Sequence, residues 1–297
     1  MTDLKKPDFL VVGAEKCGTT WLADMLRQHP QVFIPPEKEI HYFNRRFSDF
    51  PKVRNLNFEK PLAWYLAFFS GAEGRQRVGE ACPAYLWDES APARIHAFDP
   101  SLSILALLRN PIERTFSAYR FWMQRGVVGR ISFRRAVEQY PLLLLERSRY
   151  ASQLKRYLDL YPRDNVRVWV MDLPGSSMTN ILEQVEDFLS VPRFVPANAE
   201  ARSNVTAEPR SWFLNWLTAR IRLVIRGSRI FLPLVDGMRK VRVAQALEGW
   251  RIENKSKAAP TTVLMMSPED RSWIGSLLQD DIHRLEDQIG MELGHWR

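Results

Sequence analysis

Long apolar runs are missing from this 297-residue sequence. No stretch reaches the roughly 18 uncharged apolar residues that a membrane-spanning helix requires. Met1-Thr2-Asp3-Leu4-Lys5-Lys6 supplies no apolar signal core before Pro7, and Phe9-Leu10-Val11-Val12 is too short to be one. A cytoplasmic protein is therefore expected. Cysteine is scarce: Cys17 and Cys82 are the two in the chain. So sparse a pair is no disulfide framework and fits a reducing compartment. Histidine is also rare, at five residues, and neither a CxxC pair nor a His/Cys cluster of ligand spacing occurs. No metal centre is expected.

The hydrophobic share of 45% and charged share of 26% are those of an ordinary globular chain, and its length suits one large domain or two small ones. The net charge of +8 is unevenly placed: residues 210–257 hold 11 Lys/Arg against 3 Asp/Glu, and the remainder balances at 31 of each. Such a basic segment suits phosphate, sulfate, anionic lipid or nucleic acid, or is simply a solvated basic face.

Three strand-then-helix units are legible. Phe9-Leu10-Val11-Val12 reads as a buried strand ended by Gly13, and Thr19 or Thr20 can cap a helix with Trp21, Leu22, Met25 and Leu26 on one face. Ile104-Leu105-Ala106-Leu107-Leu108 is a second strand, followed at Arg109-Asn110-Pro111 by a turn and a helix over 112–124. A third strand over 166–171 precedes a helix over 178–189. The pattern predicts an α/β fold, a central parallel β-sheet flanked by helices, with ligands at the carboxyl ends of the strands. Ser267-Pro268-Glu269-Asp270 starts a last helix, carried by Trp273, Leu277, Leu278, Ile282, Leu285 and Ile289 at helical spacing. A single domain over 1–297 is expected, with 190–260 as a less regular, basic, acceptor-facing region.

Gly13-Ala14-Glu15-Lys16-Cys17-Gly18-Thr19-Thr20 joins the first strand to the first helix. Glycines let such a loop aim its N–H groups inward, the helix start adds partial positive charge, and Lys16 adds a full one. The pattern is an anion cradle with a P-loop-like placement. A P-loop kinase or NTPase is the alternative, but that motif needs Gly-x-x-x-x-Gly-Lys followed by Ser or Thr, and Thr19 follows Gly18 here.

Lys16-Cys17-Gly18-Thr19-Thr20-Trp21-Leu22 resembles the 5′-phosphosulfate loop of sulfotransferases that use 3′-phosphoadenosine-5′-phosphosulfate (PAPS). The stretch from Leu107 through Arg109, Asn110 and Ser117 to Tyr119 resembles their 3′-phosphate motif. Pro35-Pro36-Glu37-Lys38-Glu39-Ile40-His41-Tyr42-Phe43 is similar to the segment that carries the catalytic glutamate in the heparan-sulfate-type branch. Gly79-Glu80-Ala81-Cys82-Pro83-Ala84-Tyr85-Leu86 and the ending from Ile289 to Trp296 fit that branch as well. Ala81 stands where several heparan-type enzymes carry a lysine, which argues against a polysaccharide bound as in those enzymes. The likeness is to a bacterial, soluble member.

The resemblance implies an enzyme that transfers a sulfuryl group from PAPS to a hydroxyl and releases PAP, with no metal required. Lys16, Cys17, Gly18, Thr19, Thr20, Trp21, Arg109, Ser117 and Lys257 would hold the nucleotide, with Lys255 competing for the role of Lys257. Glu39 would be the general base, and Lys16 would neutralise the bridging oxygen. His41 lies two residues on, on the same side if the stretch is extended, and could orient Glu39 or the acceptor. Without the resemblance, Glu39 reads as a solvated loop carboxylate and His41 as a structural histidine. Arg109 reads as a planar fork for phosphate or as a surface ion pair with Glu113. Trp64, Tyr65, Phe68 and Phe69 could line an acceptor pocket or belong to the core. Residues 211–226, with Phe213, Leu217, Ile221 and Val224 on one face and Arg220, Arg222 and Arg226 interspersed, offer peripheral membrane contact, a clasp for an amphipathic acceptor, or a packed helix. The expected partner is a small-molecule or glycan hydroxyl acceptor, not nucleic acid.

Overall fold

In the computed structural model, residues 5–46, 55–200 and 264–297 are described below. Lys255, Lys257, the basic segment 210–257 and the 211–226 face lie outside the described residues.

Five parallel strands form the sheet: β1 (Phe9–Gly13), β2 (Val32–Phe33), β3 (Arg77–Ala81), β4 (Ser103–Leu108) and β5 (Val166–Val170), in the order β2-β3-β1-β4-β5. β1 is buried along its whole length, and β4 nearly so, because helices cover both faces of a parallel sheet. The register sets Leu10 beside Glu80 on one side and Ile104 on the other. Strand order reverses at β1, so β1 and β4 lead their connections to opposite sides and leave a crevice between their carboxyl ends.

Among the described residues the helices are α1 (Thr19–Gln28), α2 (Leu62–Leu66), α3 (Ala84–Trp87), α4 (Ala91–Phe98), α5 (Pro111–Gln124), α6 (Phe133–Gln139), α7 (Tyr150–Leu158), α8 (Met178–Phe188) and α9 (Pro268–Ile289). None is long and apolar enough to cross a membrane. The sequence reading of α1, α5, α8 and α9 agrees with these bounds to within about a residue. The parallel α/β sheet flanked by helices is likewise as expected.

Two helices owe their positions to polar caps. The Asn110 side chain accepts from the N–H groups of Ile112 and Glu113, and Pro111 occupies the first turn of α5, where no N–H is needed. Ser267 accepts from the Asp270 N–H at the start of α9, and Gly290 ends α9 in the left-handed conformation. α9 packs on α5 and α7, and the buried Trp296 beyond it donates from Nε1 to Asp172 at 3.1 Å.

Candidate active site

The carboxyl end of β1 turns through Ala14–Cys17 into α1. The Ala14 N–H donates to the Leu107 carbonyl at 2.8 Å, which ties the loop to the end of β4. Gly18 sits at the N-cap of α1 with φ of 88°, a conformation costly for any residue with a Cβ. No side chain caps α1, and its first turn contains no acidic residue. The helix thus supplies no anion of its own to its N–H groups and positive dipole end, as a site for a bound anion requires.

Lys16 lies in this loop with its Nζ 4.1 Å from the centre of the Phe121 ring. Phe121 is one turn beyond Ser117 on α5, so both share the face of α5 turned to the loop. The guanidinium of Arg109, just past β4, donates to the Lys16 carbonyl at 3.5 Å. The structure thus brings Lys16, Arg109 and the Ser117 face of α5 to one crevice. Arg125, at the end of α5, covers the same Phe121 ring at 4.3 Å. Burial, then the charges of Arg125, Arg114 and Arg109, press the Lys16 ammonium down to about 8, with Glu15 opposing.

The other residues of the loop and the first turn of α1 pack around that cradle. Cys17 is buried against the Tyr150 hydroxyl at 3.5 Å, and burial pushes its thiol up. Thr19 and Trp21 are buried, and the Trp21 indole donates to the Ala199 carbonyl at 2.8 Å. Thr20 is half-buried at the start of α1. Glu15 turns away from the cradle: Arg147 meets it at 2.7 Å and Arg114 at 3.6 Å. Arg114 is wholly buried and also donates to the Leu144 carbonyl at 2.7 Å and to Ser148 at 3.2 Å, so it is a framework residue. Glu113 pairs with Arg271 on α9 rather than with Arg109.

A second group comes from the segment after β2 and meets Cys82, just past β3, whose N–H donates to the Val11 carbonyl of β1 at 3.0 Å. Glu39 and His41 both adopt left-handed backbone, with φ of 56° and 58°, so the stretch is not extended as the sequence reading supposed. Their side chains nevertheless meet, His41 Nε2 lying 3.4 Å from Glu39 Oε2. The left-handed turn at each residue, with Ile40 buried between them, achieves what an extended chain was expected to do. The Glu39 side chain is 42% exposed, open to a substrate, whereas that of His41 is 13% exposed. His41 Nδ1 is 3.1 Å from Asn44 Oδ1 and 3.5 Å from Cys82 Sγ. Burial opposes a charge on His41, but the Glu39 hydrogen bond and charge, Asn44 and Glu80 outweigh it and raise the imidazole above its ordinary value. Backbone contacts hold the turn: Asn57 donates to the Ile40 carbonyl at 2.8 Å, and Asp88 accepts from the Arg45 N–H at 2.9 Å.

Sequence reasoning gave no individual role to Glu80 or Tyr85, and read Tyr65 only as an acceptor-pocket or core aromatic. Glu80 on β3 is 1% exposed and accepts from both tyrosine hydroxyls. A carboxylate inside the tight run Gly79-Glu80-Ala81-Cys82 was the available signal; its partners come from two separate helices, α2 and α3. Of the aromatics proposed for an acceptor pocket, Tyr65 and Phe69 are core, and Trp64 and Phe68 are half-buried against it.

The family model described as "Sulfotransferase domain" matches residues 6–192. The membrane-associated sulfotransferase kil1 of Dictyostelium discoideum is 32% identical over 40% of this chain and 24% of its own length. The human heparan sulfate glucosamine 3-O-sulfotransferase 6 is 29% identical over 64% of this chain and 54% of its own. The chain thus spans about half the length, or less, of these curated relatives. A crystal structure of a sulfotransferase from Alicyclobacillus acidocaldarius superposes with a TM-score of 0.66 at 26% identity, covering 99% of both chains. The sheet, the β1–α1 cradle and the match over residues 6–192 make this chain a member of the sulfotransferase family.

Proposed function

We propose that the protein transfers a sulfuryl group from PAPS to a hydroxyl of a carbohydrate, lipid or other small-molecule acceptor and releases PAP. The observation that carries this is the cradle at the end of β1, where an uncapped helix start, Lys16 and Arg109 converge with no opposing acid in the first turn. The family supplies the donor's identity, and the names of the glycan-modifying relatives favour a hydroxyl acceptor. The α1 N-terminus, Lys16 and Thr20 suit the 5′-phosphosulfate, and Arg109 with Ser117 suits the 3′-phosphate. The chain is read as one catalytic domain.

Sulfuryl transfer depends on positioning and on charge placed where the leaving phosphate gains it. PAPS brings the activated sulfuryl group and a leaving group that departs as a phosphate anion. Lys16 provides the neighbouring positive charge. Glu39, exposed at the turn, accepts the proton of the attacking hydroxyl. His41, within reach of Glu39, orients its carboxylate towards the hydroxyl. The kinase alternative is not favoured, because Thr19 stands where a P-loop lysine is needed and the chain matches the sulfotransferase domain.

The direct test is mass spectrometry of hydroxyl acceptors incubated with the protein and PAPS, with one added SO₃ as the expected product. PAP should raise the melting temperature and Mg·ATP should not; the reverse pattern would favour phosphoryl transfer. Arg109→Ala, which removes a charge-assisted phosphate contact worth about 1.5–3 kcal/mol, should weaken PAP by about 10- to 100-fold in calorimetry. Unchanged affinity would take Arg109 out of the nucleotide site.

A further inference from the structure

The turn that carries Glu39 and His41 has two consecutive demands on it: left-handed backbone at both residues, and a side-chain approach of 3.4 Å between them. Left-handed backbone is disfavoured for residues with a Cβ, so something must hold the turn in place. Beside the Asn57, Asn55 and Asp88 contacts, Tyr42, the residue after His41, holds it. Its backbone N–H donates to the Tyr85 hydroxyl at 3.1 Å, and its ring lies stacked on Tyr65, centroids 4.5 Å apart at 9°. Both tyrosines end on one carboxylate. Tyr65 donates to Glu80 Oε2 at 2.8 Å and Tyr85 to Glu80 Oε1 at 2.8 Å. Tyr42 is therefore gripped twice, by backbone and by ring, and both grips lead to Glu80. The Ile40 N–H acts on the same carboxylate, from the peptide between Glu39 and His41.

We propose that Glu80 is a positioning residue for the Glu39–His41 pair, acting through Tyr85 and Tyr65 on Tyr42; this rests on the sulfotransferase reading of the site. Glu80 projects from β3, an inner strand whose backbone is fixed by ladder bonds to β1. It thus refers a strained turn to the sheet.

The hydrogen-bond pattern also fixes the form in which Glu80 works. Tyr85 spends its one proton on Glu80, because its oxygen already accepts from Tyr42. Tyr65 likewise donates. Among the described residues the hydrogen bonds to the carboxylate all come from donors, so a proton on Glu80 would point at a donor and disturb one grip. The ionisable groups around it are Tyr65 from α2, Tyr85 from α3, His41 from the turn and Cys82 from the end of β3. Burial raises the Glu80 carboxyl to about 7, against the lowering effect of Tyr65, Tyr85 and His41. The grip is accordingly complete above that pH and loosens as pH falls through it.

The test compares wild type with Glu80→Gln and Tyr85→Phe. Hydrogen exchange read by NMR should show the Tyr42 and Ile40 amides exchanging at least about tenfold faster in Glu80→Gln, while the amides of β1 and β4 stay protected. Persistence of Tyr42 protection in both variants overturns the proposal, whatever the reaction is. In single-turnover sulfation, scaled to PAP-titrated sites, both variants should lose about tenfold or more in rate with PAP affinity within twofold. The acid limb of the wild-type profile near pH 7 should shrink in Glu80→Gln, which cannot titrate and leaves His41 as the group that titrates there. Normal rate and an unchanged acid limb also overturn it. An inactive wild type that ignores PAP would instead sink the sulfotransferase reading, and the amide exchange would still judge the anchor.

Discussion

A lysine held over an aromatic ring among arginines gives up its proton more readily than one in water, and Lys16 is so placed. The sign of the consequence follows from its values, about 8 in the fold against an ordinary 10.5. Below pH 8 the side chain is charged in both folded and unfolded chains, and the fold bears the full cost of that buried charge. The cost fades as pH rises from about 8 to about 10.5. Lys16→Met should therefore melt higher than wild type at neutral pH, by a few degrees, with the advantage shrinking on the alkaline side. PAP affinity should show the opposite dependence, falling as pH climbs past 8 in wild type and staying flat in Lys16→Arg, whose charge persists. Calorimetry across that range checks it; a flat wild-type profile would separate Lys16 from the phosphate. Glu39→Gln keeps size and hydrogen bonding but cannot accept a proton, so turnover should fall about 10²-fold or more while PAP binding holds. Near-normal single-turnover rates would pass the base assignment to His41. The cradle was legible in the sequence because glycines, a lysine and hydroxyl residues sit within one short loop. Glu39 and His41 were legible only through resemblance, because two left-handed residues leave no periodic trace. Glu80 was hidden because Tyr65 and Tyr85 approach it from separate helices.

At the scale of the element, the end of β4 is set by Asn110. Its side chain closes the start of α5, its N–H donates to Asp172 Oδ2 at 2.7 Å, and its Nδ2 reaches the Trp296 carbonyl at 3.4 Å. Arg109, the residue before it, inherits that fixed geometry. Asn110→Ala removes the cap and should cost about 1–2 kcal/mol, seen as a lower midpoint in urea with an unchanged slope. Asn110→Asp restores the acceptor and should recover most of the loss; no recovery would mean that the contact to Trp296, not the cap, carries the stability. Strands β1, β4 and β5 were readable as apolar runs bounded by turn residues. β3 was not, because its sequence is Arg77-Val78-Gly79-Glu80-Ala81. Gly79 is there because the Phe9 ring lies where a Cβ would stand, and Glu80 is there for the tyrosines. β2, with two residues, is too short to show any pattern.

At the scale of the molecule, the segment after α9 closes the structure behind the anion site. Trp296 is 1% exposed, and two lines of contact run from it towards the cradle. One passes through its indole N–H to Asp172, whose other oxygen holds the Asn110 N–H beside Arg109. The other passes through its ring, edge-on to Tyr150 at 6.3 Å, to the Cys17 thiol in the β1–α1 loop. Both halves of the proposed nucleotide site are thus backed by one side chain distant in sequence. Trp296→Ala opens a large cavity and should cost about 3–5 kcal/mol in chemical denaturation. Trp296→Phe keeps most of the packing and loses the indole hydrogen bond, at about 1 kcal/mol. Because the backing reaches Arg109 and Cys17, the alanine variant should also bind PAP more weakly under conditions where it is fully folded, and the phenylalanine variant should fall between it and wild type. Calorimetry with PAP at a temperature well below the alanine variant's transition separates the two effects. Equal PAP affinity in all three proteins would show that the packing behind the site stabilises the fold without shaping the cradle.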